Sequence, residues 1–201
     1  MNAPKARLHI WRHEDTKPTP SLSLIANNPS CTAISNVSRD LLNPDEIFAL
    51  LVDASSGISN SMIELWNYAA ERQYRRILLV QGLENSESDF DDIILIANRT
   101  MEKIATPFLV IHDEEGSPVG LVDLEKAEVR NYQNNNLSLA PCDESLLDLI
   151  SEFRKEYLED FLLLGEGAFA DGLYAIGIPL GSKNPFGATE LNSILAALPT
   201  R

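Results

Sequence analysis

The chain has 201 residues, 44% of them hydrophobic, which is enough to bury one core with a large insertion and argues against intrinsic disorder. Its 30 acidic residues against 16 basic ones leave a formal charge of −14, a field that repels phosphate backbones, so direct nucleic-acid binding is not expected. The cysteines, Cys31 and Cys142, form neither a CxxC pair nor a disulfide framework, no signal-like apolar run opens the chain, and no segment reaches the ~18 apolar residues of a membrane span, so a cytoplasmic protein with no membrane contact is expected.

Residues 8–11 and 22–26 are apolar and flank Pro18 and Pro20, which bar a helix, so an antiparallel hairpin at a sheet edge is expected. Residues 47–52 and 77–80 are continuous apolar runs, the mark of strands covered on both faces in a parallel sheet. Between them Met62, Leu65, Trp66, Ala69 and Ala70 recur at helical spacing, which predicts strand, helix, strand, with Trp66 in the core. A helix over 88–104 follows, with Ser88 as its N-cap and Ile93, Ile94, Ala97 and Met101 on its apolar face.

Residues 108–111 and 119–122 bracket the turn-forming stretch 113–118, which predicts a hairpin; a third extended piece at 127–132 and a polar loop at 134–136 come next. Leu146, Ile150, Phe153, Tyr157 and Phe161 recur every three or four residues and predict a helix that Gly165 ends. Residues 174–180 read as a closing strand and 189–198 as a last helix. The fold class is therefore α/β: a mostly parallel sheet with an antiparallel edge hairpin and helices on both faces. The core takes residues 1–104 and 166–201, and a small α+β subdomain is inserted at 105–165.

Several polar groupings carry no chemistry on this reading. His9 and His13 would share a metal on a helix, but in an extended segment positions four apart are separated by roughly 13 Å. Asp89, Asp91 and Asp92 suit the positive end of a helix dipole without any cation. The stretch from His112 to Glu115 sits at a hairpin tip, where water prevents pKa tuning. No G-x-S-x-G elbow is present. No catalytic or metal-binding residue is assigned.

One relationship does emerge from order and spacing. Asp53-Ala54-Ser55-Ser56-Gly57 turns into the Trp66 helix, the strand at 76–80 and the pair Asp89-Phe90 without a gap. Thr106-Pro107-Phe108, His112-Asp113 and Gly120-Leu121 follow, then the helix at 146–164, and finally Pro179 to Ser182 and Gly187 to Leu191. Over residues 22–199 this resembles the nucleotide-binding domain of translational GTPases of the elongation factor G type, truncated and with degenerate GTP-binding motifs. The resemblance implies a P-loop-GTPase-like fold without the P-loop.

No G-x-x-x-x-G-K-[ST] exists in the chain, and His13-Glu14-Asp15-Thr16-Lys17 only faintly echoes the family's phosphate loop, lacking its glycine. The family's D-T-P-G-H falls on residues 27–31, which makes Asn27, Pro29 and Cys31 a vestigial magnesium and switch loop; neutral Asn27 cannot attract a hard cation. Its N-K-x-D falls on Gln81-Gly82-Leu83-Glu84 and its S-A-K on Ser182-Lys183. Gln81, Glu84, Ser182 and Lys183 are thus vestigial guanine-binding positions.

The resemblance implies a catalytically inactive pseudo-GTPase that needs no cofactor and serves as a protein-binding or regulatory module, its partner drawn from the translation machinery. The alternatives are a residual binder of GTP or GDP with magnesium, or a slow GTPase completed by another chain, and a gene product without selected activity. Residues 27–31, 81–84 and 181–183 are expected to converge at the carboxyl edge of the sheet. With no strand before the missing phosphate loop, residues 22–26 should pair directly with 48–52 in a five-stranded sheet. A monomer follows from that closure, and a homodimer is the alternative if the sheet recruits a strand.

Overall fold

A computed structural model describes residues 8–12, 25, 31–34, 46–84, 87–133, 136–165 and 167–198. In chain order the elements are β1 (Leu8–Arg12), β2 (Cys31–Ile34), β3 (Ile47–Asp53), α1 (Asn60–Glu71), β4 (Arg75–Gln81), α2 (Phe90–Thr100), β5 (Ile104–Ala105), β6 (Phe108–His112), β7 (Pro118–Asp123), β8 (Glu128–Gln133), β9 (Asn136–Pro141), α3 (Glu144–Leu164), β10 (Ala175–Pro179) and α4 (Ala188–Ala197). The first sheet has six strands in the order β2-β1-β3-β4-β10-β5, and every pairing in it is parallel.

The continuous apolar runs become central strands because both of their faces are covered. Phe48, Leu50 and Val52 of β3 pack with Met62, Leu65 and Trp66 of α1 and with Phe90, Ile93 and Ala97 of α2. Ile47, Ala49 and Leu51 turn the other way, towards Leu191 and Leu195 of α4. The expected α/β architecture with helices on both faces is therefore present. Trp66 is fully buried in the core, edge-on to Phe48 at a ring separation of 6.1 Å, and its Nε1 donates to Glu102 Oε1 at 2.8 Å.

The antiparallel edge hairpin is not formed. β1 runs parallel to β3, from Leu8 opposite Ile47 to Arg12 opposite Leu51, and parallel to β2 on its other side. Both rows of its backbone groups are thereby occupied, which leaves no edge for a hairpin partner. Pro18 and Pro20 argue from the sequence alone against a helix, but that does not require the chain to reverse beside its own strand, and both lie outside the described residues. Of the expected second hairpin strand only Ile25 is described, and it is buried. Nor does the sheet close with residues 22–26 against 48–52 in five strands, since β3 is paired by β1 on one side and β4 on the other and the sheet has six strands.

Helix α2 begins later and ends earlier than its apolar spacing suggested. Asp89, not Ser88, is the N-cap: its Oδ1 accepts from the Asp92 N–H at 2.9 Å, and Asp92 Oδ2 accepts from the Asp89 N–H at 3.3 Å. These reciprocal bonds satisfy two otherwise orphaned donors. At the other end Asn98 Oδ1 accepts from the Ile104 N–H at 2.8 Å, and Ile104 and Ala105 join the parallel sheet as β5.

After β5 the chain builds the second sheet, antiparallel in the order β6-β7-β8-β9, and then α3. Asp113 Oδ1 ties the expected β6–β7 turn by accepting from the N–H groups of Glu115 and Ser117 at 3.0 and 2.8 Å. One face of this sheet, through Leu121 and Tyr132, joins the core beside Phe186. The other, through Val122, packs with Ile150 of α3. Asn136, expected in a polar loop at 134–136, instead opens β9, while residues 134 and 135 lie outside the described residues. Among the described residues no helix is long and apolar enough to cross a membrane.

Candidate functional site

Loops leaving the carboxyl ends of parallel strands converge where ligands bind in open α/β sheets. Those after β3, β4 and β10 carry the polar groups considered first. Asp53, at the end of β3, accepts from the N–H and Oγ of Ser55 at 3.1 and 2.6 Å and from Gln81 Nε2 at 3.3 Å. Gly82 has φ +79, and a Cβ added there would stand 2.7 Å from Asp53 Oδ1. The bonds that hold this carboxylate leave no room for a side chain at position 82.

Glu84 closes the next part of the edge. Its Oε1 accepts from the backbone N–H groups of Ser182 at 2.5 Å and Lys183 at 3.1 Å. Its Oε2 is buried without a hydrogen-bond partner among the described residues. Two of the segments singled out from the sequence, 81–84 and 181–183, therefore do meet. They meet by bonding to each other: the carboxylate is turned into the loop, and the donors that could face a ligand are spent on it.

The third segment does not join them. Cys31 stands opposite Leu8, which stands opposite Ile47, which stands opposite Arg75, so Cys31 lies at the amino edge of the sheet. Glu84 follows the carboxyl edge. The register that placed residues 27–31 after a strand is corrected accordingly: Cys31 begins a strand instead. Asn27 and Pro29 lie outside the described residues, as do His13 and Lys17. His9 Nε2 lies 2.7 Å from Glu46 Oε2, and His112 is exposed at the hairpin tip. Among the described residues no group of three or more His, Cys, Asp or Glu could hold a metal ion.

A second concave region lies between the inserted sheet and the core, a cleft of about 860 Å³ whose walls include Phe108, Tyr157, Phe169, Tyr174, Glu125 and Glu128. At its floor, Arg130 Nη2 donates to Asp123 Oδ2 at 2.8 Å and Nη1 to Glu190 Oε1 at 3.3 Å. Tyr132 Oη donates to the same Glu190 oxygen at 2.6 Å, while Glu190 Oε2 accepts from the Gly187 N–H at 2.8 Å. The network pins α4 to β7 and β8, and each of its two carboxylates faces the one guanidinium in the low-dielectric interior. Burial, and after it the bond to Glu190, pushes the Tyr132 hydroxyl well above the usual tyrosine range. Burial likewise raises Tyr157 and Tyr174, with the Glu125 charge adding to both, and Tyr174 is pushed up to about 12.

None of this network was singled out from the sequence. One signal was available: Arg130 falls in the middle of a predicted strand, where a charged residue needs a partner if the strand is buried. The partners, Asp123 from β7 and Glu190 from α4, are not neighbours in sequence and could not be paired with it without the fold. Arg76 behaves in the same way, donating to both oxygens of Glu102 at 2.7 and 3.0 Å from the start of a buried strand.

No family model and no curated protein matches the chain. Among solved structures, the crystal structure of a protein from Thermus thermophilus superimposes with a TM-score of 0.65 at 21% identity. The match covers 77% of this chain and 26% of the other, so the chain spans about a quarter of the length of that protein. At this identity the likeness is one of fold alone. The chain is an α/β protein with a mostly parallel sheet and an inserted antiparallel one.

Proposed function

We propose that the chain is a GTPase-like domain that does not turn over guanine nucleotide and is kept for binding a protein partner, in translation if the resemblance to elongation factor G extends to its setting. The observation that carries this reading is Glu84. In the resembling family the equivalent carboxylate takes two hydrogen bonds from guanine, and the neighbouring S-A-K loop offers its backbone to the base. Here Glu84 Oε1 takes the N–H groups of Ser182 and Lys183 instead. A base would have to break both bonds and move a carboxylate whose second oxygen is buried. The absence of G-x-x-x-x-G-K-[ST] from the sequence removes the phosphate cradle as well.

A second reading, weak nucleotide binding completed by another chain, draws support from β1. It is an interior strand that ends at Arg12 beside Leu51, so the chain leaves it at the carboxyl edge where a phosphate loop would start. One titration separates the two readings. With GDP and magnesium in a calorimeter, the first expects no isotherm at micromolar ligand, since micromolar affinity corresponds to roughly 8 kcal/mol. A tight, guanine-selective isotherm sinks it.

A further inference from the structure

Strand β9 ends the second sheet with its outer edge unpaired among the described residues. All six of its residues are exposed, including Leu137 at 41% and Leu139 at 55%. It pairs with β8 in unbroken register, from Glu128 opposite Pro141 to Gln133 opposite Asn136. The opposite edge, β6, is interrupted by a register shift at Ile111 and His112. Proteins blunt open edges with charges, central prolines or bulges, because a row of free N–H and C=O groups invites another strand. From Asn136 to Ala140, β9 has none of these defences.

The surroundings say what kind of strand would fit. Leu139 stands opposite Arg130 and lines the same cleft. Asp123 and Glu190 are committed to Arg130 and Tyr132. Among the described residues, by contrast, the Glu125 carboxylate makes no hydrogen bond or ion pair, and Glu128 reaches Arg130 only at 3.6 Å. The aromatic walls of Tyr157, Tyr174 and Phe169 lie beside these two acids. Aromatic faces next to carboxylates favour a cation. A second copy of the chain is disfavoured there, since each copy carries −14.

We infer that β9 receives an extended, basic segment of a protein partner as a fifth strand, with apolar residues against Leu137 and Leu139 and a lysine or arginine directed into the Glu125–Glu128 cleft. Main-chain bonds would supply affinity, and the alternating side chains specificity. The inference rests on the reading that the domain binds protein and names the chemistry of the partner.

Fluorescence anisotropy with a short labelled peptide alternating lysine and valine tests it. Saturable binding is expected, weakened by at least about tenfold when alternate peptide nitrogens are methylated, because methylation removes strand pairing without changing charge. The variant Leu137→Lys/Leu139→Lys should lose binding comparably while keeping its far-ultraviolet dichroism; if it fails to fold, the methylated peptide alone decides. The inference is overturned if no peptide saturates, if methylation changes nothing, or if a glutamate–valine peptide binds equally well. It is also overturned if sedimentation of the chain alone shows a dimer that the variant dissociates, since the occupant is then a second copy. Nucleotide binding in the calorimeter would sink the functional reading, whereas peptide failure without nucleotide binding sinks only this inference.

Discussion

Glu190→Ala should be among the most damaging single substitutions in the chain. The side chain is fully buried and accepts three hydrogen bonds, from Arg130 Nη1, Tyr132 Oη and the Gly187 N–H. Truncation leaves a buried guanidinium nitrogen, a buried hydroxyl and a helix-terminal N–H without acceptors, beside a void the size of the lost carboxylate. Removing one member of a buried ion pair costs about 3–5 kcal/mol. Arg130 keeps Asp123, which argues for the lower half of that range. For a chain of this length each kcal/mol lowers the melting midpoint by about 2–4 °C, so a cost of about 3–4 kcal/mol gives an expected fall of roughly 6–16 °C. Urea unfolding monitored by dichroism gives the free energy directly, and a cycle with Tyr132→Phe should show a coupling of about 0.5–3 kcal/mol. A loss below about 1 kcal/mol, with an unchanged denaturant slope, would refute the argument that this network holds α4 to the inserted sheet.

Gly187→Ala should also destabilise the fold. The added Cβ would collide with the Pro179 carbonyl oxygen, and the backbone has φ +84, a conformation that costs an L-residue about 1–3 kcal/mol before any clash. An unchanged melting midpoint would contradict that account. Raising the pH tests the buried Tyr132 and Tyr174 and the half-buried Tyr157. Each has its pKa raised in the fold, so the stabilisation from keeping it neutral is complete below about pH 10 and fades as the pH climbs past 10 and, for Tyr174, through about 12. Phenolate absorbance and dichroism followed together should show ionisation delayed until unfolding; phenolates forming near pH 10 in the intact fold would contradict the burial argument.

Local sequence carried the elements whose side chains repeat with one period and are covered on matching faces. The apolar runs of β3 and β4, the spacing of Met62, Leu65 and Trp66, and the turn chemistry around Asp113 each specify a local conformation whatever lies beyond it. The alternation of Leu137 and Leu139 was equally legible as a strand, and was hidden only by the asparagines before it. What local pattern could not supply was adjacency. Leu8 to Arg12 is apolar enough for any strand position, and only pairing with both β2 and β3 makes it an interior parallel strand instead of a hairpin arm. The candidate site divides in the same way. That Glu84 and Ser182 belong to one site followed from the order of motifs along the chain. That they bond to each other, that Cys31 stands at the opposite edge, and that Arg130 finds Asp123 and Glu190 were decided by tertiary structure, because a hydrogen bond depends on distance and direction between groups that sequence separation does not encode.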